Sequence, residues 1–367
     1  MSPPMVSISM ATYNHERHIS QAIESVLAQK TDFECELIIG EDCSPDGTRA
    51  ICEKYAREHP GRIRLLPAER NLGMHLNGRR LLKECRGRYI AFLDGDDHWT
   101  DPRKLQRQMD YLESHPECAM VCGAARVVCV GDGPGAPADG SLQPFPFPPA
   151  DTTIRDLARF GGYVMTPTCL IRNWLGEGVP DWVFTCPIVD WAMNMMAALQ
   201  GSIHFDERVV AAYRVHSGGV WSRQTSVGGA YALWKTFRIL SRAPELAAVF
   251  ESEPDLADEW NRRVIRNLKG ELVGRVANGG RFGPGLREIL RRDAPEFRLN
   301  RAERRALSRA VFEDAFYALF RSRRHRKALR MALRILWRDP AWWCKRSSLG
   351  AVWAAGVQAV RTGLPAS

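Results

Sequence analysis

Asp94, Asp96 and Asp97 fall within four residues of one another in RYIAFLDGDDHWTDPRKL, Arg88 to Leu105. They follow an apolar run, Tyr89 to Leu93, of the kind that forms a buried strand. Closely spaced carboxylates repel phosphate. They can hold a hard divalent cation, Mg²⁺ or Mn²⁺, that bridges to phosphate oxygens. Gly95 between them lets the backbone approach a neighbour closely. Two more polar clusters follow apolar runs. Thr12, Tyr13 and Asn14 come after VSISMA, and Glu41, Asp42, Ser44 and Asp46 end or follow CELIIGED. Any one cluster also suits a turn or a helix cap. In an open parallel sheet, however, ligands bind outside the carboxyl ends of the strands. Three polar clusters on that one edge point to a binding site.

The usual phosphate devices are missing. No GxGxxG follows the first strand, and GxxxxGK[ST] occurs nowhere. Carboxylate-bound metal is then the available route to a phosphate.

These residues need a scaffold, and the patterning supplies one. VSISMA alternates as a strand does, and HISQAIESVLAQ has helical spacing. CELIIGED reads as a strand and GTRAICEKYAREHP as a helix ended by Pro60. RIRLLPAE, RYIAFL and CAMVCGAARVVCV read as further strands. LNGRRLLKEC and PRKLQRQMDYLESH read as helices, the latter with Pro102 at its start. From Val6 to about Val130 strand and helix alternate, which predicts an α/β fold with a mostly parallel sheet flanked by helices. The Gly/Pro-rich stretch from Gly131 to Asp151 predicts a long loop or flap. Patterning resumes in TTIRDLARF, DWAMNMMAALQ and RVVAAYRVH, and from about Gly228 the chain reads as helical. The expected division is residues 1–225 and a helical C-terminal region, 226–367.

Bulk properties exclude some classes. The chain has 367 residues and a formal net charge of +9. Between Arg321 and Arg346 there are ten Lys or Arg and one acid, Asp339, so this stretch alone carries the excess. A neutral body with one basic end argues against a nucleic-acid groove running through the protein. The ten cysteines form no CxxC pair, so zinc-ribbon spacing is absent and reduced thiols in a cytoplasm are expected. No secretory leader and no membrane span are expected from the apolar runs. In the basic end, Trp337, Trp342 and Trp343 lie among cations. That composition suits a peripheral anchor on an anionic membrane surface, equally a helical subdomain with aromatic core, or a contact with a polyanionic acceptor.

SISMATYNHERHISQAIESVLAQ, LIIGEDCSPDGT, NLGMHLN and YIAFLDGDDHWTDPRKLQRQ together resemble glycosyltransferase family 2. The resemblance is close from Val6 to about Val130 and looser through PTCLIRN, VDWAMNMMAALQG and YRVHSGGVW. It implies a GT-A fold, a nucleotide-sugar donor, a bound Mn²⁺ or Mg²⁺, and transfer with inversion to a glycan or lipid-linked acceptor. Ala11 and Tyr13, with the neighbourhood of Glu16, match the segment that lines the nucleobase pocket. Asp42 matches the acid that bonds the base, and Asn71 to Gly73 lies where donor contacts are expected. Asp94-Gly95-Asp96 resembles the DXD motif, with Asp96 the principal metal ligand and Asp94 facing ribose and metal. Asp97 is expected to orient the donor sugar or to support the turn. Asp190 matches the catalytic base, often the second acid of a pair, but Val189 stands here in the first position. His216 resembles a histidine that holds metal or diphosphate. Arg214 and Arg223 are read either as diphosphate partners or as surface charges.

The leading reading is a metal-dependent inverting glycosyltransferase acting on a cell-surface glycan or its precursor, at the inner face of the membrane. The 131–151 loop or the segment near Val220 could close over the donor. Two alternatives stand beside it: a nucleotidyltransferase, and a catalytically silent membrane-associated scaffold on the same fold.

Overall fold

The structure is a computed structural model that describes residues 4–335, except 131–138, 145, 162, 175–177, 221–224, 323, 325, 326, 329, 333 and 334. Its first half follows the expected alternation. β1 (Val6–Thr12), β2 (Cys35–Glu41), β3 (Ile63–Pro67) and β4 (Tyr89–Phe92) are all parallel, ordered β3-β2-β1-β4. α1 (Ile19–Leu27), α2 (Thr48–Glu58) and α3 (Met74–Glu84) link them in turn.

The sheet then continues in a way the sequence did not announce. β5 (His98–Trp99) follows β4 directly, before α4 (Lys104–Ser114) and β6 (Cys118–Val130). Pro102 lies in the turn before α4, whose N-cap is Arg103. β7 (Leu142–Gln143), β8 (Asp151–Thr152), α5 (Ile154–Phe160), β9 (Leu170–Arg172), α6 (Val189–Ala198) and β10 (Ser202–His216) complete the domain. Beyond β4 the order is β9-β6-β10-β5. β9 is antiparallel to both β4 and β6, so β4, β6 and β10 point the same way as β1. Among the described residues, only the strands of two or three residues, β5, β7, β8 and β9, run against the rest.

Both faces of the sheet are covered. Val6, Ile8 and Met10 of β1 are wholly buried, each contributing roughly 1.5–3 kcal/mol by leaving water. α1 lays Ile19, Ala22, Ile23 and Val26, one helical stripe, into the same core. The alternate β1 residues Ser7 and Ser9 are buried as well, because helices pack on the second face. Burial obliges Ser7 to find partners. Its hydroxyl donates to Glu36 Oε1 at 2.8 Å and accepts the Gly87 N–H at 2.9 Å.

The chain divides into two compact units. One holds residues 1–223 with 235–256, and the other holds 224–234 with 257–367. α7 (Ser226–Leu240) therefore begins in the second unit and ends in the first, which also contains α8 (Ala247–Glu251). In the second unit, α9 (Leu256–Ala277), α10 (Phe282–Asp293) and α11 (Arg301–Arg321) are helical as expected. Trp260 is fully buried there, and Trp234 packs edge-on against Phe297 with ring centroids 5.1 Å apart. Trp337, Trp342 and Trp343, and with them most of the basic segment, lie outside the described residues.

Candidate active site

Chain order locates the site. From β1 the sheet grows outward through β2 to β3, then β4 is laid on the other side of β1. The reversal leaves a crevice between the carboxyl ends of β1 and β4, where open α/β sheets bind ligands. Thr12 to His15 leave one strand there and Asp94 to Asp97 leave the other.

Much of the polar chemistry after β1 and β2 braces these loops. Asn14 and Cys43 both have positive φ, 59° and 58°, a conformation that non-glycine residues adopt only under local constraint. The constraint is visible. The Asn14 N–H donates to Ser44 Oγ at 3.1 Å, the His15 N–H to Thr48 Oγ1 at 2.9 Å, and the Glu16 N–H to Asp46 Oδ2 at 3.1 Å. Glu16 Oε2 in turn accepts the Gly47 N–H at 3.1 Å. Glu41, fully buried, pairs with Arg49 at 2.6 Å.

Asp42 is also committed inward. It is 3% exposed, and its two oxygens accept the N–H groups of Leu72 at 2.8 Å and Gly73 at 2.9 Å. The side chain expected to bond the base thus holds the 71–73 loop, in which Asn71 Oδ1 also accepts the Gly73 N–H at 3.0 Å. Asn71 itself is exposed, Ala11 is half-buried, and Tyr13 is exposed.

The acidic turn is where distant residues converge. Asp96 Oδ2 lies 3.1 Å from His216 Nε2 and 3.6 Å from His15 Nε2. These ligand atoms all lie within 4.8 Å of one another. Thr12 Oγ1, 3.2 Å from His15 Nδ1, orients that ring. Gly95 makes the approach feasible, because a Cβ there would stand 2.5 Å from Thr12 Oγ1 and 3.0 Å from His15 Nδ1. So Gly95 admits protein side chains rather than a ligand. His15 was missed by the motif reading. Its signal was a histidine in the loop after β1, on the same edge as the carboxylates.

β5 explains how His216 arrives. It carries the chain from the end of β4 across to β10, pairing His98 with Ala212. Asp97 then accepts the Arg214 main-chain N–H at 2.7 Å and is 2% exposed. Of its two expected roles, the geometry shows turn support. Arg214 is likewise buried, with its guanidinium on the Asp96 carbonyl and on Gln21 Oε1. Its charge is therefore used within the turn, neither on the surface nor free for a diphosphate. Arg223 lies outside the described residues.

Electrostatics separates the carboxyls. Burial, then the charge of Asp96, pushes Asp94 and Asp97 well above the carboxylate range, with Asp190 adding to the effect on Asp94. Asp96 is also penalised by burial. The His216 hydrogen bond and the charges of His15 and His216 outweigh that and hold it below its ordinary value. Burial lowers His15, against the pull of Asp96, which favours the neutral imidazole that ligates metals. Two imidazoles and a carboxylate are a donor set that can hold a divalent cation, richer in nitrogen than Mg²⁺ prefers. Asp94, expected among the ligands, is not part of this trio.

Asp190 opens α6 in its first turn. Asp190 is exposed to solvent on one side, and protein crowds its carboxyl on the other. That crowding raises its pKa, while the Thr166 hydrogen bond and His75 act the other way. Thr166 Oγ1 donates to Asp190 Oδ2 at 2.7 Å. The charge of Asp190 is felt at Asp94, so the two carboxyls are near one another.

Comparison with known proteins agrees with this architecture. A mannosyltransferase from Pyrobaculum calidifontis, solved in complex with GDP-Man and Mn²⁺, superposes with a TM-score of 0.50 at 16% identity, over 92% of this chain and 89% of that one. The fold is of the GT-A glycosyltransferase type. Residues 7–173 match the family model described as Glycosyl transferase family 2. An uncharacterized protein of Mycobacterium tuberculosis is 31% identical over 277 residues, 74% of this chain and 72% of that protein. The putative teichuronic acid biosynthesis glycosyltransferase TuaG of Bacillus subtilis is 38% identical over 109 residues, 30% of this chain and 42% of TuaG. The chain belongs to glycosyl transferase family 2.

Proposed function

We propose that this chain is a metal-dependent, inverting glycosyltransferase. It moves a sugar from a nucleotide-sugar donor, a UDP-sugar, to a hydroxyl of a cell-surface glycan or lipid-linked precursor. The observation that carries the reading is the meeting of His15, Asp96 and His216 at the β1/β4 crevice, near enough to Asp190 for its charge to be felt at Asp94. The teichuronic acid relative supports a cell-surface polymer as acceptor.

His15, Asp96 and His216 would hold the cation, with Asp94 close by. Bound there, a divalent metal supplies Lewis-acid neutralisation of the donor diphosphate. Tyr13, Ala11 and the loop held by Asp42 would flank the nucleoside. Asp190 has one oxygen on Thr166 and the other free to accept the proton of the acceptor hydroxyl. Its raised pKa moves it toward the range useful in a general base. Attack opposite the departing diphosphate gives inversion at the anomeric carbon.

Among the described residues no helix is long and apolar enough to cross a membrane. Placement at the inner membrane face rests on the sequence of the basic, tryptophan-bearing end.

The test is a panel of nucleotide sugars with Mn²⁺, assayed for nucleoside diphosphate release. Asp96→Ala should lose Mn²⁺-dependent nucleotide binding. Asp190→Ala should bind donor and keep only a small residual rate of transfer. The reading fails if no donor is turned over and no nucleoside diphosphate binds in the presence of Mn²⁺.

A further inference from the structure

The residues just past the acidic turn, in HWTDPRKLQRQ, are not accounted for by donor or metal contacts. Three of them point into one buried spot beside the site. Trp99, Lys104 and Gln108 are 4%, 0% and 3% exposed. Lys104 is the unusual member, an amine sunk in the core with no carboxylate partner among the described residues. Its Nζ donates to Gln108 Oε1 at 2.8 Å and to the Cys169 carbonyl at 3.4 Å, and lies 4.5 Å from the centroid of the Trp99 ring. A hydrophobic side chain would fill this space without the cost of burying an amine.

The three side chains grip three successive carbonyls. Trp99 Nε1 donates to the Pro167 carbonyl at 2.8 Å, Gln108 Nε2 to the Thr168 carbonyl at 2.8 Å, and Lys104 to that of Cys169. The gripped turn, Thr166–Thr168, begins with the residue whose hydroxyl holds Asp190 at 2.7 Å. Thus the segment that carries the metal-side carboxylates also fixes, by three carbonyls, the turn whose hydroxyl holds Asp190.

We propose that Trp99, Lys104 and Gln108 are positioning residues for Asp190, acting through the 166–169 turn and the Thr166 hydroxyl. This rests on the reading of Asp190 as the base. Its consequence is that the two halves of the site are set by one rigid device: shifting the turn misplaces the base without touching the donor. A displacement of an ångström in a base is enough to slow a reaction severely.

The experiment uses the full chain, Mn²⁺ and whichever nucleotide sugar it turns over. The variants are Gln108→Glu, Thr166→Val, Thr166→Ser, Asp190→Ala and the Asp190→Ala/Gln108→Glu double variant. Gln108→Glu keeps an acceptor for Lys104 and removes the donor to Thr168. It should lower kcat by about tenfold and leave donor KM within about twofold, the split expected of a group acting only in the transition state. Thr166→Val should do the same, and Thr166→Ser, which keeps the hydroxyl, should restore the rate. In the Asp190→Ala background Gln108→Glu should have no further effect, because its target is gone. Equal fractional losses in both backgrounds, or wild-type kcat in Thr166→Val, would overturn the proposal. Should Gln108→Glu not fold, the Thr166→Val and Thr166→Ser pair decides, since that site lies outside the buried cluster. Wild-type turnover by Asp190→Ala alone instead refutes the base assignment, whatever the Gln108 variants do.

Discussion

Replacing Lys104 by methionine should remove a pH-dependent part of the stability. Burial brings the Lys104 ammonium down from its ordinary value of 10.5 to about 7, while Cys169, Cys122 and Asp101 pull the other way. The unfolded chain keeps that proton until near the ordinary value. Between those two values the unfolded state binds more protons than the folded one, so stability rises with pH across that window. Below the folded value both states are protonated and the full cost of burying the charge persists. With these two values the gain between pH 7 and pH 9 is about 2 kcal/mol. Methionine has nearly the same length and cannot titrate. Urea unfolding at pH 7, 8 and 9, followed by tryptophan fluorescence, should show wild type gaining on Lys104→Met by about that amount. Burial raises the Cys122 and Cys169 thiols in the folded state, which costs stability at alkaline pH, but both proteins contain them and the effect largely cancels. A gap between the two proteins that stays constant from pH 7 to 9 would show that the buried amine holds its proton, and the reasoning from desolvation would be wrong.

Other outcomes follow from individual contacts. His15→Ala and His216→Ala should each weaken Mn²⁺-dependent UDP binding, measured by calorimetry; wild-type binding in His15→Ala would remove it from the metal trio. Asp42→Ala deprives the Leu72 and Gly73 N–H groups of their acceptors, at a cost of roughly 1–3 kcal/mol. A thermal melt should show the loss together with weaker nucleotide binding, and an unchanged Tm would mean the loop is held otherwise. Gly95→Ala places a methyl 2.5 Å from Thr12 Oγ1 and 3.0 Å from His15 Nδ1. It should destabilise by about 1–3 kcal/mol and weaken Mn²⁺ binding; normal metal affinity in a folded Gly95→Ala protein would show that the packing is slack.

The parallel half of the fold was legible because its strands and helices carry strong periods. Ile19, Ile23 and Val26 already mark one face of a helix, and Tyr89 to Leu93 mark a strand too apolar to be exposed. β5 and β9 were not legible. Two or three residues show no period, and their pairing is with strands remote in sequence. The main-chain bonds of Asp42 and Asp97 were hidden for a related reason. A carboxylate that bonds a ligand and one that bonds a neighbouring backbone N–H look alike in a motif, and burial separates them.

The sequence alone determined that three carboxylates would be clustered, since adjacency along the chain puts Asp94, Asp96 and Asp97 in one turn whatever surrounds them. It also determined the edge on which they lie, because an apolar strand of that length must end where it does. Only the tertiary structure decided which of them meets the histidines. His216 lies 120 residues from Asp96 along the chain, and it reaches Asp96 because β5 ties the end of β4 to β10. His15 joins them because the switch in strand order sets β1 beside β4. Such contacts depend on strand order and register, which are fixed by the packing of the whole sheet and by no local pattern.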